Sequence, residues 1–165
     1  MASWKDVVAA SPEFAVRVQD RFDAGKHKTL ATLRKDGSPR ISGIEAQFVD
    51  GELWFGSMWR GIKALDLQRD PRFSLHSPTG DDNPESWKGD AKISGRVEEI
   101  TDPARAAAVA AATGGEQSGE QSSEPSHLFR AEIAEIVLTR LGDPADHLVI
   151  ELWTESRGLE RIERW

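Results

Sequence analysis

The stretch that most constrains the fold runs from residue 29 to residue 77. Three runs in it, 29–34, 40–49 and 52–57, have the composition of β-strands, and short segments containing Asp36-Gly37 and Asp50-Gly51 join them. Glycine adopts the positive φ angles that tight hairpin turns require. The pattern therefore predicts an antiparallel meander of three strands, of which the third is rich in apolar and aromatic residues.

After the meander the pattern changes from strand to helix and back to strand. Ile62, Leu65 and Leu67 alternate with charged and polar residues, which is typical of a short amphipathic helix. Asp70-Pro71 ends this helix, because a residue that precedes proline is disfavoured in the helical region. Residues 72–77 then return to a strand. The chain thus places a helix N-terminus directly after the third strand.

Candidate ligand-binding groups gather at this junction, in residues 57–63. A helix N-terminus presents unpaired backbone N–H groups and the positive end of the helix dipole. Ser57 adds a hydroxyl group, and Arg60 and Lys63 add two positive charges within one turn. This combination suits a phosphate group, although a basic turn that only shapes a loop has the same composition.

Composition excludes several function classes. The chain has 165 residues, four histidines, no cysteine and a net charge of −7. Without cysteine there is no disulfide, no thiolate metal ligand and no cysteine nucleophile. The histidines lack the spacing of metal ligands, so no metal site is predicted. The negative charge argues against nucleic-acid binding.

The length suits a single domain over residues 1–165. We find no apolar run long enough to cross a membrane and no signal-peptide pattern at the N-terminus. We therefore expect a cytoplasmic protein without a membrane partner.

Two helices are predicted before the meander and are expected to pack over the sheet. The first follows Ser3, with Val7 and Val8 on its inner side. The second begins at Ser11-Pro12, a typical helix start. Its apolar face is formed at four-residue spacing by Phe14, Val18 and Phe22.

The C-terminal half is predicted to complete the sheet. Residues 91–100 alternate as a strand does, and an alanine-rich helix follows at 104–112. The low-complexity segment at about 114–126 is predicted to be a flexible loop. Residues 127–141 have helical spacing in part, but their β-branched residues favour a strand with a bulge near Ala134. Strands at 147–153 and, at the sheet edge, at 159–165 end the chain.

The ordered set of elements resembles the pyridoxamine 5′-phosphate oxidase-like family. The residues that carry the resemblance read LATLRKDGSPRISGIEAQFVDGELWFGSMWRGIKALDLQRDPRFSLHS. The resemblance is clear over residues 28–97 and weaker over 128–165. It implies a mainly β fold with flanking helices, namely a split β-barrel that forms a homodimer. It also implies that FMN or the deazaflavin coenzyme F-420 binds at the subunit interface.

The resemblance further implies which positions hold the cofactor. Ser57 and Lys63 match the residues that bind the cofactor phosphate, and Gly56 and Met58 flank that contact. The second strand would line the cofactor, and Trp87 or Lys88 would reach it from a neighbouring strand; packing at an interface is the alternative role for Trp87. With Arg60 included for its charge, the cofactor-binding candidates are Arg40, Ser42, Ile44, Gly56, Ser57, Met58, Arg60, Lys63, Trp87 and Lys88.

The function implied is that of an oxidoreductase that transfers a hydride between FMN or F-420 and a small organic substrate. The vitamin B6 oxidases of the family carry arginine before the phosphate-binding lysine, where this chain has Ile62. They also carry an Arg-x-His motif after a C-terminal tryptophan, and none follows Trp153 here. That reaction is therefore not expected. The alternative is a non-catalytic protein that binds flavin, haem or another cofactor, and no residue is assigned as a catalytic acid or base.

Overall fold

The computed structural model describes residues 1–79, 83, 86–113 and 125–165. These residues form four helices and eight strands. The helices are α1 (Trp4–Ala10), α2 (Pro12–Asp23), α3 (Ile62–Arg69) and α4 (Pro103–Ala112). The strands are β1 (His27–Leu33), β2 (Pro39–Val49), β3 (Glu52–Met58), β4 (Arg72–His76), β5 (Asp90–Glu99), β6 (Ser126–Leu141), β7 (Leu148–Thr154) and β8 (Gly158–Arg164).

The strands form one antiparallel sheet in the order β3-β2-β1-β4-β5-β6-β7-β8, and β3 also pairs with β6. The additional pairing closes six strands into a barrel, from which β7 and β8 extend. The long strand β6 belongs to both parts, because residues 126–131 pair with β3 and residues 135–141 pair with β7. The predicted class, a mainly β split barrel with flanking helices, is confirmed.

The predicted meander is formed by β1, β2 and β3. In the turn between β2 and β3, Asp50 and Gly51 have φ angles of 51° and 76°. Positive φ at both central residues is the requirement of a tight type I′ hairpin, for which Asp-Gly is a preferred pair. The short connection therefore fixes the register in which Val49 faces Glu52.

The bulge predicted in the sixth strand is present at Ala134. Ser94 pairs with Glu135 and Gly95 pairs with Ile133, so Ala134 has no partner on β5. A Cβ atom at position 95 would lie 1.9 Å from the carbonyl oxygen of Glu132. The close approach of the two backbones at the bulge therefore depends on Gly95.

Helices α1 and α2 cover part of the barrel. Ser3 and Asp6 form a reciprocal capping box at the start of α1. Val7 is fully buried, but Val8 is 41% exposed, so the prediction that both face inward is wrong for Val8. Neighbouring positions on a helix point about 100° apart, and here only one of the two reaches the core. The predicted apolar face of α2 is buried at Phe14, Val18 and Phe22.

Most of the low-complexity segment predicted as a flexible loop, residues 114–124, lies outside the described residues. Its end is a strand, because β6 begins at Ser126. None of the helices in the described ranges is long and apolar enough to cross a membrane.

Candidate cofactor-binding site

A tight turn connects β3 to α3. The N–H group of Gly61 donates to the carbonyl oxygen of Met58 at 2.9 Å, and Trp59 and Arg60 lie between them. Arg60 has a φ of 57°, in the left-handed region that glycine and asparagine prefer. Gly61 is the N-cap of α3 and has no side chain to cap it. The helix N-terminus therefore opens directly onto this turn.

The hydroxyl group of Ser57 lies against that helix N-terminus. A Cβ atom at position 61 would lie 2.5 Å from Ser57 Oγ and 3.1 Å from the carbonyl oxygen of Met58. Only glycine at this position leaves room for the hydroxyl. Among the residues that the structure describes, Ser57 Oγ makes one long hydrogen bond, 3.4 Å, to the carbonyl oxygen of Met58. The hydroxyl therefore retains capacity to bind a ligand next to the first N–H groups of α3.

Two cations flank the same turn. The side chain of Arg60 is exposed, and Lys63 is half-buried with its Nζ donating to the carbonyl oxygen of Gly43 on β2. In the part of the chain that the structure describes, neither cation lies within ion-pair distance of a carboxylate. Burial lowers the pKa of the Lys63 amine. A bound anion would stabilise the charged form of this amine, so the amine favours binding of a phosphate.

Beside Lys63, the outer face of β2 forms an open surface. Ile41 is 75% exposed, and a Cβ atom at Gly43 would meet no atom within 4 Å. The predicted candidates Arg40, Ser42 and Ile44 alternate to the opposite face, where Ile44 is buried in the core. Contact between the cofactor and those three residues stays a prediction. The sequence did not single out Ile41, whose exposure follows from the strand register alone.

Arg40 has a structural partner that the sequence did not reveal. The buried carboxylate of Asp66 on α3 accepts hydrogen bonds from Thr32 Oγ1 at 3.0 Å, Arg40 Nε at 2.6 Å and Arg69 Nη2 at 2.9 Å. Burial alone would raise the pKa of Asp66, but these donors outweigh it and lower the pKa. The cluster attaches α3 to β1 and β2.

A second network holds the turn from the other side. His127 is buried at the start of β6, where it pairs with Ser57 of β3. Its Nε2 accepts from the backbone N–H of Arg60 at 3.1 Å, and its Nδ1 lies 2.6 Å from Glu99 Oε1. Trp59 stacks on the imidazole. The sequence does not single out His127, because no local pattern links a histidine at position 127 to a turn at residues 58–61.

Two of the remaining candidates lie at the turn, and the other two lie far from it in the chain. Gly56 and Met58 adjoin Ser57 in the chain, Met58 is 81% exposed, and contact of either with a cofactor stays a prediction. Trp87 and Lys88 precede β5, at the opposite end of that strand from Glu99. Ten strand residues separate these ends by roughly 30 Å at about 3.3 Å per residue. Trp87 and Lys88 therefore do not join the turn within one chain.

Among the described residues, no cluster of three or more His, Cys, Asp or Glu could hold a metal ion.

These features define a class of protein: a split β-barrel with a candidate phosphate-binding turn between β3 and α3. The family model described as pyridoxamine 5′-phosphate oxidase matches residues 17–140. The chain therefore belongs to the pyridoxamine 5′-phosphate oxidase family.

Several solved structures share the fold. A pyridoxamine 5′-phosphate oxidase-related, FMN-binding protein from Nostoc punctiforme PCC 73102 matches with a TM-score of 0.63 and 15% identity, over 99% of this chain and 97% of that one. The conserved hypothetical protein Rv2991 from Mycobacterium tuberculosis matches with a TM-score of 0.60 and 21% identity, over 73% of this chain and 81% of that one. A heme binding protein from Mycobacterium smegmatis matches with a TM-score of 0.53 and 16% identity, over 90% and 87%. A search of curated proteins gave no match.

Proposed function

We propose that this protein binds FMN or the deazaflavin coenzyme F-420 and uses it as an oxidoreductase on a small organic substrate. The observation that carries the proposal is the turn that ends β3. There a serine hydroxyl lies at a helix N-terminus, and the turn carries two cations without carboxylate partners among the described residues.

The residues at this turn fit a cofactor phosphate. Gly61 keeps the space between Ser57 Oγ and the helix start, which a Cβ atom would fill. The donor set consists of a hydroxyl, backbone N–H groups, an amine and a guanidinium, which are the groups that bind phosphate in proteins. In our proposal Ser57, Arg60 and Lys63 hold the phosphate, and the open face of β2 at Gly43 supports the ring. When bound, either cofactor supplies hydride transfer, and the protein supplies its orientation and its environment.

We also propose that the working unit is a homodimer. Large apolar side chains on β2, the turn and α3 are exposed in the single chain, and a second copy would bury them. They are Ile41, Met58, Trp59, Ile62 and Leu65. In the proposed dimer, each site would be reached by the partner's Trp87 and the partner's Lys88.

Direct titration of the apoprotein with FMN and with F-420 tests the proposed function. Replacing Lys63 by alanine should weaken binding by about 1–3 kcal/mol, roughly 5- to 150-fold, which is the scale for losing a charged hydrogen bond. Lys35→Ala, in the exposed turn between β1 and β2, is the matched control and should bind normally. Equal affinity of the Lys63 variant would place the phosphate elsewhere, and binding of neither cofactor would reject the function.

Turnover separates an enzyme from a binding protein. Reduced cofactor is mixed with the protein and a panel of quinone-like and unsaturated acceptors, and its oxidation is followed by absorbance. Acceleration over the cofactor alone is the expected result. Tight binding without acceleration would indicate a carrier, and a Soret band on addition of haem would identify a haem carrier.

A further inference from the structure

We infer that His127 is a positioning residue for the proposed cofactor-phosphate turn, and that it acts as the neutral imidazole with its proton on Nδ1. This inference rests on the proposed function for its consequence on binding. Its structural content, the tautomer and the bond to Arg60, is independent of any cofactor.

The turn needs support from outside itself. Arg60 has a φ of 57°, a left-handed conformation that is unfavourable for a residue with a Cβ atom. The bond that closes the turn uses the N–H group of Gly61 and the carbonyl oxygen of Met58. The N–H group of Arg60 takes no part in it, and its acceptor is His127 Nε2 at 3.1 Å. This hydrogen bond therefore stabilises Arg60 in a backbone conformation that its own side chain disfavours.

The donors around the ring fix its tautomer. A backbone N–H group can only donate, so Nε2 must carry a lone pair. The ring proton then resides on Nδ1 and is donated to Glu99 Oε1 at 2.6 Å. Glu99 is held in turn by Gln68 Nε2, which donates to its two oxygens at 3.2 and 2.9 Å. Since Gln68 lies on α3, the network connects the turn that precedes this helix and the last turn of the helix to β5 and β6.

Stacking fixes the plane of the imidazole. The ring of Trp59 lies 4.9 Å from that of His127 with an angle of 9° between the planes. Phe129 lies on β6 with its ring at 6.2 Å and 15°. The imidazole side chain is 4% exposed. A buried ring with a fixed plane and a fixed tautomer directs one lone pair at one backbone N–H group, which is what positioning of the turn requires.

Nuclear magnetic resonance of the apoprotein tests the tautomer. In ¹⁵N-labelled wild type, Nδ1 of His127 should have the shift of a protonated ring nitrogen and Nε2 that of an unprotonated one. The proton on Nε2 instead would overturn the inference. The Arg60 amide proton should exchange slowly with solvent in wild type and in His127→Gln, whose side-chain oxygen is an acceptor. It should exchange at least about tenfold faster in His127→Phe, which keeps the stacked ring without an acceptor.

Affinity tests the consequence for the site. We expect His127→Phe to weaken binding of whichever cofactor binds wild type by about five- to tenfold, and His127→Gln to remain within about twofold. Rescue by glutamine distinguishes positioning from packing, because phenylalanine is the better replacement for packing alone. Equal affinity of the phenylalanine variant and wild type would overturn the inference.

If wild type binds neither cofactor, the proposed function fails, while the resonance and exchange data still decide the role of His127. If His127→Phe does not fold, as judged by circular dichroism, the wild-type tautomer and His127→Gln decide it.

Discussion

Gly61 occupies a crowded backbone position in the candidate site. We predict that Gly61→Ala displaces the Ser57 hydroxyl and weakens cofactor binding at least about tenfold, because the new Cβ atom would lie 2.5 Å from Ser57 Oγ. Isothermal titration calorimetry measures the affinity and thermal unfolding measures the stability.

A double variant provides the control for this prediction. Ser57→Ala removes the obstructing oxygen, so Gly61→Ala should lower the unfolding temperature less in a Ser57→Ala background than in wild type. Purely additive effects on stability would show that the two positions do not meet.

Asp66 is the residue on which the attachment of α3 depends. Its carboxylate is 3% exposed and pairs with Arg40 and Arg69, whose side chains are 22% and 37% exposed. We predict that Asp66→Ala destabilises the fold by about 3 kcal/mol, the lower end of the range for breaking a buried ion pair, because the arginines are partly exposed. Urea unfolding measures this change. Asp70→Ala removes a pair with Arg72, whose side chain is 61% exposed, and should have a smaller effect.

The same carboxylate gives the fold a dependence on pH. The hydrogen bonds from Arg40, Arg69 and Thr32 lower the pKa of Asp66 in the folded state below its ordinary value near 3.8. Its contribution to stability is therefore complete above that value and is lost as the pH falls through the folded pKa. The difference in unfolding free energy between wild type and Asp66→Asn should shrink as the pH falls below about 4. A difference that stayed constant into that range would contradict the assignment.

Among the elements, the pairing of β5 with β6 depends on a glycine at the bulge. Gly95 faces the bulge at Ala134, and a Cβ atom there would overlap the carbonyl oxygen of Glu132. We predict that Gly95→Ala destabilises by about 3 kcal/mol, the upper end of the range for overpacking, because the obstacle is backbone and cannot rotate away. Gly43→Ala on β2 is the control, since its Cβ atom meets nothing. Equal urea midpoints for the two variants would contradict this prediction.

Local signals explain which elements the sequence predicts well. Asp-Gly turns, the Asp70-Pro71 stop and the change of period at residue 62 depend on neighbours in the chain, and α3 follows at Ile62–Arg69. The bulge at Ala134 was also predictable, because it shifts the alternation of β-branched residues. The pairing of β3 with β6 joins residues about 70 positions apart, such as Ser57 and His127, and no local pattern encodes it.

The candidate site likewise contains residues that a local pattern predicts and residues that only the tertiary fold brings together. Ser57, Arg60 and Lys63 lie within seven residues of one another, so their proximity was predictable from a single turn. The ion pair of Arg40 with Asp66 and the buried His127 depend on how α3 and β6 meet the barrel. Resemblance gave the position of Trp87 and Lys88 in the sequence, but one chain does not bring them to the turn.

For the whole molecule, the principal expectation is the dimer. Light scattering at micromolar concentration should give twice the chain mass of 18.2 kDa. We predict that Ile41→Glu shifts the protein towards monomer, because a charge at a side chain that is 75% exposed in the single chain would be buried by a second copy. Val16→Glu, on α2 and 62% exposed, is the matched control and should remain dimeric. A wild-type monomer would reject the dimer.

Barrel closure leaves β8 as the outermost strand of the sheet, and within the described ranges no further strand pairs with its outer side. Such a strand is a template on which another chain can add, and uncontrolled addition leads to aggregates. Four of the seven residues of β8 are charged, and they alternate in sign as Glu160, Arg161, Glu163 and Arg164. Charged side chains on an edge strand disfavour such addition, because an incoming strand would have to match their signs. We therefore expect these charges to disfavour fibril-like polymerisation at this edge.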